Sequence, residues 1–164
     1  MLFKPDFKFN RITDITYDFL VKNDIKGLIL DVDNTLSTHH GEILVDGLPE
    51  WLFGMRQNGI KLIILSNSKN KRVAPFAQKI ELEFISLGLK PLPFKFFRAV
   101  KQLGLHKNNV AIIGDQLFTD SLGGNISGVK TIILNPIKPE SGFSFKVRRY
   151  LEKKLYNIYK FKEG

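Results

Sequence analysis

Short apolar runs alternate along the chain with longer stretches whose apolar positions recur every three or four residues. The runs at 28–30, 60–65, 83–86, 109–113 and 130–134 have the length and content of strands buried on both faces. Ile12, Ile15 and Phe19 predict a helix over 13–22 that leads into the first of them. A second helix over 48–58 opens with Pro49 near its first turn and stops before Gly59. A third, over 69–80, contains Pro75, which is expected to kink or delay it. In the fourth, over 93–104, Phe94, Phe97, Val100 and Leu103 recur at spacings of three and are expected to face the core. Residues 1–10 alternate aromatic and polar positions around Pro5, the pattern of an extended arm that lays its phenylalanines on the domain. Helices separate strands throughout, so the expected fold is α/β, a doubly wound parallel sheet with helices on both faces.

Size and composition narrow the classes. A chain of 164 residues suits a single domain over 1–164, with an arm and helix at 1–25 and a tail at 138–164. A hydrophobic content of 43% and a mean hydropathy of −0.07 exclude wholesale disorder and a polytopic membrane protein. No run approaches the roughly 18 apolar residues of a membrane span, and no secretory signal is visible, so a cytoplasmic location is expected. The absence of cysteine rules out disulfides, a thiol nucleophile and thiolate metal ligands. Of the net charge of +9, residues 138–164 carry +5 (eight Lys and Arg against three Glu). That bias favours anionic partners, whether phosphate-rich substrate, acidic lipid or nucleic acid, unless it is simply a solvated face.

Candidate chemistry stands where the apolar runs end. Asp31 and Asp33 follow the first run two residues apart, which in an extended chain sets both carboxylates on one side. Two acids that close repel one another, and a counter-ion such as Mg²⁺ relieves them. Ser66, Asn67 and Ser68 follow the second run, where a hydroxyl and the N–H groups opening the next helix make a phosphate cradle. Lys90 stands before Pro91, which keeps it extended. After the fourth run, Gly114 lets the backbone approach closely and Asp115 supplies an acid, as a metal loop requires. The polar loop 36–47, with a small hairpin, is expected to hang over these strand ends. Its His39 and His40 read as surface residues, since only His106 remains to build a histidine metal site.

In order, the segments Asp31-Val32-Asp33-Asn34-Thr35, Leu65-Ser66-Asn67-Ser68, Lys90-Pro91 and Gly114-Asp115-Gln116-Leu117-Phe118-Thr119-Asp120 resemble the four motifs of the haloacid dehalogenase (HAD) superfamily. Together with Arg72-Val73 and Gly123-Gly124-Asn125, they are similar to the YqeG-type branch of its class III phosphatases, a branch related to the mitochondrial phosphatidylglycerophosphate phosphatases. Leu89, and Arg148-Arg149 ahead of Glu152, depart from that branch's usual wording. The resemblance implies a HAD-like Rossmannoid fold and a Mg²⁺-dependent phosphomonoesterase. Asp31 would be the nucleophile that becomes aspartyl-phosphate, and Asp33 the general acid and base. Asp31, Asp33 (through its carbonyl) and Asp115 would ligate the metal. Ser66 and Lys90 would grip the phosphoryl oxygens with Asn67 assisting, and Asp120 would orient the metal loop or its waters.

Only 30 residues separate Thr35 from Ser66 and 21 separate Ser68 from Lys90, too few for a cap domain, so an open site is expected. An open site suits a large substrate, an anionic lipid head group, or a neighbouring subunit acting as lid in a homo-oligomer. In the tail, Val147, Leu151, Leu155 and Ile158 share a helical face among Arg148, Arg149, Lys153 and Lys154. Such a helix can lie on the inner face of an anionic membrane, or cover the sheet or a dimer contact. Phosphatidylglycerophosphate is the leading substrate. Nucleic-acid ends, small sugar phosphates, and a non-catalytic phosphate-binding protein on the same fold are the other readings.

Overall fold

The computed structural model describes residues 2–38, 43–137 and 143–158. Six parallel strands form one sheet: β1 (Phe7–Phe9), β2 (Gly27–Leu30), β3 (Lys61–Leu65), β4 (Phe84–Ile85), β5 (Val110–Gly114) and β6 (Lys130–Leu134), in the spatial order β1-β6-β5-β2-β3-β4. The helices are α1 (Tyr17–Lys22), α2 (Leu48–Gln57), α3 (Asn70–Lys79), α4 (Phe94–Leu103), α5 (Leu122–Ser127) and α6 (Phe143–Ile158).

Central β2 and its neighbour β5 are buried along their whole length, as their unbroken apolar runs require. Alternation then divides the core. Leu28, Leu30, Ala111 and Ile113 face one layer with Leu20 of α1, Leu52 of α2 and Phe76 of α3, while Ile29, Ile63 and Ile112 face the other with Phe96 and Ala99 of α4. The Trp51 indole donates to the Ile15 carbonyl at 2.8 Å and fastens α2 to the N-terminal segment.

One expectation sharpens and three change. The N-terminal arm is a true edge strand: Phe7, Lys8 and Phe9 pair with Ile132, Ile133 and Leu134. The predicted helix over 13–22 divides into a 3-10 turn (Ile12–Asp14) and α1, whose Thr16 hydroxyl accepts from the Phe19 N–H at 3.2 Å. The stripe on α4 faces the core only in its second half, where Leu103 is buried and Val100 packs on the same cluster. Phe94 is 70% and Phe97 50% exposed, whereas Phe96, Ala99 and Leu103 are buried. Each step of three falls about 60° short of a full turn, so Phe94 and Leu103 lie on opposite sides of the helix. Helix α3 begins at Asn70 and runs through Pro75 without delay.

Because all strands run one way, their C-terminal ends share one edge. The chain leaves β2 for β3 on one side and reaches β5 on the other, so the crevice of a doubly wound sheet opens at the end of β2.

Candidate active site

Every residue singled out at a strand end arrives at that crevice. The Asp31 N–H donates to the Ile113 carbonyl at 2.9 Å, extending the β2–β5 ladder by one residue. The chain then turns, with Asn34 at φ 57° and the Leu36 and Ser37 N–H groups donating back to the Val32 carbonyl. The small hairpin forms through Thr38 N–H to Ile43 carbonyl and Val45 N–H to Leu36 carbonyl, while His39 and His40 lie outside the described residues. Ser66 continues β3 by donating its N–H to the Ile85 carbonyl, and its hydroxyl accepts from the Ser68 N–H at 3.1 Å.

Lys90 is the centre of charge. Its Nζ lies 2.6 Å from Asp31 Oδ1 and 2.6 Å from Asp120 Oδ1, and the residue is buried. Its main chain is held by Asn67, whose Oδ1 accepts from the Lys90 N–H at 2.8 Å and whose amide donates to the Lys90 carbonyl at 3.2 Å. Asn67 lines the crevice, and its amide group positions the lysine loop. The Lys90–Pro91 peptide is cis.

Gly114 is required where it stands. A Cβ there would come within 2.2 Å of Asp120 Oδ2, so only glycine lets that carboxylate lie over the end of β5. Asp120 is anchored by the Gln116 N–H at 3.2 Å, inside the π-helical turn Leu117–Ser121, and α5 follows directly. Asp31, Asp115 and Asp120 each offer an oxygen within 4.8 Å of the others. Asp120 therefore stands in the acid cluster itself. The Asp33 carboxylate stands apart from this cluster and takes Arg72 Nη2 as its partner, and Arg72 also donates to the Ser68 hydroxyl at 2.6 Å.

The tail closes one side. Arg149 donates to the Asp115 carbonyl at 2.9 Å and to Asp115 Oδ2 at 2.5 Å, and Glu152 accepts from the Leu117 N–H at 3.0 Å. Arg148 reaches the Gln116 side chain at 2.7 Å. These contacts of α6 with the domain are polar; of the expected apolar face, Val147 and Leu151 are exposed, Leu155 is half-buried, and the Ile158 side chain lies outside what is described. Nothing in the spacing of the tail marked these contacts. For Arg72, the i to i+4 step from Ser68 was a signal, but an arginine on a helix ordinarily points to solvent.

Burial dominates the electrostatics. It lifts the Asp31 carboxyl to about 7, with Lys90 opposing the rise and Asp120 and Asp33 adding to it. Asp115 is pushed well above the usual carboxylate range, first by burial, with Asp31 and Asp120 reinforcing and Arg149 opposing. Burial alone would lower the Lys90 ammonium, but Asp120 and Asp31 outweigh it and raise its pKa. Carboxylates this reluctant to ionise need more positive charge than Lys90 and Arg149 bring. Asp115 Oδ1 is buried with no hydrogen-bond partner among the described residues. An all-oxygen donor set with an orphaned carboxylate oxygen fits a hard divalent cation.

The family described as mitochondrial PGP phosphatase matches residues 1–138. The chain belongs to that family. It is 37% identical over 158 residues to the probable phosphatase YqeG of Bacillus subtilis (strain 168), covering 96% of this chain and 92% of that one. It is accordingly a HAD phosphatase of the YqeG type. Two solved structures share the fold. NagD from E. coli K-12 superposes with a TM-score of 0.57 at 16% identity, over 70% of this chain and 89% of that one. The cobalt-bound deoxy-D-mannose-octulosonate 8-phosphate phosphatase YrbI of Haemophilus influenzae gives 0.51 at 21% identity, over 69% of each chain. The family match ends before α6, so the contacts of Arg148, Arg149 and Glu152 lie outside it.

Proposed function

We propose that this phosphatase hydrolyses phosphomonoesters with Mg²⁺ through an aspartyl-phosphate on Asp31, and that its substrate is a phosphorylated lipid head group, phosphatidylglycerophosphate first. One observation carries the mechanism: a buried Asp31 carboxylate fixed by Lys90 inside an acid cluster, next to the Ser66 hydroxyl and with Asp33 facing the open crevice.

Asp31 attacks phosphorus, and the P–O bond to the alcohol breaks. Asp33, 18% exposed at its side chain and steadied by Arg72, protonates the departing alkoxide and then takes a proton from the water that cleaves the acyl-phosphate. Ser66 and Lys90 hold the phosphoryl oxygens and offset their charge. Asp31, Asp115 and the Asp33 carbonyl would hold the cation, with Asp120 at its side. When bound, Mg²⁺ neutralises carboxylate and phosphate charge together.

Support for a lipid head group comes from the family described as mitochondrial PGP phosphatase and from the shape of the site. The crevice has a volume of about 380 Å³ and is lined by Lys90, Arg72 and Arg148. No cap lies across it among the described residues. Helix α6 exposes Val147, Tyr150 and Leu151 beside Lys146, Lys153 and Lys154, which suits contact with an anionic membrane. Among the described residues no helix is long and apolar enough to cross one.

The test is phosphate release from p-nitrophenyl phosphate, phosphatidylglycerophosphate in mixed micelles, a 5′-phosphorylated oligonucleotide and a sugar phosphate, each with Mg²⁺ or EDTA. Mg²⁺-dependent turnover with the highest kcat/KM on the lipid is expected. Preference for the oligonucleotide or the sugar phosphate overturns the lipid reading, and turnover undiminished in EDTA overturns the metal.

A further inference from the structure

The loop from β4 to α4 is built against the usual grain. Leu87 and Leu89 adopt left-handed backbone, φ 47° and 53°, a region that non-glycine residues seldom enter. The loop is nonetheless firmly tied: Leu87 N–H donates to the Ser68 carbonyl, Gly88 N–H to the Ser66 carbonyl, and Leu92 N–H to the Leu89 carbonyl. This arrangement buries none of its leucines. Leu87, Leu89 and Leu92 are 49%, 58% and 49% exposed, and Phe94 and Phe97 on the adjoining turns of α4 are 70% and 50% exposed. A fixed backbone that holds five large apolar side chains in water is the mark of an interaction surface.

Charge decides the partner. Residues 84–114 contain no acid at all and five basic residues, Lys90, Lys95, Arg98, Lys101 and Lys107. Arg98 and Lys101 share the outer side of α4 with Phe94 and Phe97, and among the described residues neither is paired with an acid. A second copy docked through the same patch would set these cations against themselves. Phe94 and Phe97 could stack on bases, but Leu87, Leu89 and Leu92, the larger part of the patch, offer a nucleic acid neither a stacking ring nor a hydrogen bond. Apolar side chains ringed by Lys and Arg suit an anionic bilayer, with the hydrocarbon below the head groups and the cations level with the phosphates.

Position completes the inference. The loop leaves β4 at the edge where all strands end, α4 starts there, and the residue between Leu89 and Pro91 is Lys90 of the active site. We propose that Leu87, Leu89, Leu92, Phe94 and Phe97, with Lys95, Arg98 and Lys101, dock this enzyme on anionic lipid and bring the crevice to the head-group layer. The proposal rests on the lipid reading of the function and assigns it a surface separate from the tail.

The experiment compares wild type, Phe94→Ser/Phe97→Ser and Arg98→Gln/Lys101→Gln. Each is co-sedimented with phosphatidylcholine vesicles containing or lacking phosphatidylglycerol, and assayed on p-nitrophenyl phosphate and on phosphatidylglycerophosphate in vesicles. Wild type should bind only the anionic vesicles. Each double variant should bind them at least about tenfold more weakly and lose vesicle-substrate turnover in proportion, with p-nitrophenyl phosphate hydrolysis unchanged as the sign of an intact fold. Variants that sediment like wild type overturn the docking surface, even if the lipid is a good substrate. Vesicle binding that depends on these residues, without lipid turnover, upholds the surface and sinks the substrate reading. A wild-type dimer that the phenylalanine variant makes monomeric, or oligonucleotide binding lost in the variants while vesicle binding persists, also overturns it.

Discussion

Asp31 and Asp33 are the same residue type, two positions apart, yet they occupy different surroundings. Asp31 lies in the sheet's shadow, its carboxylate against Lys90 and two further acids, with a pKa raised to about 7 by burial. Asp33 lies beyond the end of β2, its side chain 18% exposed and paired with Arg72 at the crevice wall. Strand alternation would have left both on one side, but the turn at Asn34 follows at once and separates them. One environment suits a group that must be charged by a bound cation before it attacks, and the other suits a group that exchanges protons with water.

The contrast is sharpest under amide substitution. Asp31→Asn removes the proposed nucleophile and should lower kcat on p-nitrophenyl phosphate by more than about 10⁴-fold, at any pH. Asp33→Asn should cost about 10²- to 10⁴-fold, the usual worth of a general acid and base in the proposed mechanism. Equal losses would show that the two positions do not divide the chemistry.

A second difference is in stability. Folding raises the Asp31 pKa from 3.8 to about 7, so over that interval the folded chain holds a proton that the unfolded chain has released. Stability in EDTA should therefore fall as pH rises through this window, and Asp115 pulls in the same direction. A cation competes with those protons, so Mg²⁺ should raise the melting temperature by roughly 5 °C or more near pH 7.5 and by much less near pH 5. An equal gain at both pH values would place the cation elsewhere.

The smallest effect belongs to the far wall. Glu152 is buried, raised by that burial and held by Arg149 and the Leu117 N–H. Glu152→Ala should cost about 1–2 kcal/mol at most and act by loosening α6. Hydrogen exchange over 143–158 and 115–121 should quicken together. Exchange that quickens in α6 alone would mean the tail does not brace the 115–121 segment.

Much of this was readable beforehand because chemistry at strand ends leaves a strong local pattern. An apolar run followed by Asp31, Ser66 or Asp115 marks both the strand and the side chain. Lys90 needed only its proline. What the sequence hid had a common cause: the partner was distant or the period misleading. Phe7–Phe9 is a strand only because β6 lies beside it, Glu152 is held against the domain only because Leu117 needs an acceptor, and Arg72 looks like any basic residue on a helix. On α4, a repeat of three imitated a core stripe while winding half-way around the axis.

The edge pairing of β1 with β6 has a consequence for the order of events at the ribosome. Phe7 emerges early but waits for Ile132, some 125 residues later, before it has a hydrogen-bonding neighbour. Synthesis at about 5–20 residues per second makes that a wait of roughly 6 to 25 seconds. The nascent enzyme must therefore keep its first phenylalanines sheltered until almost the whole sheet has left the tunnel.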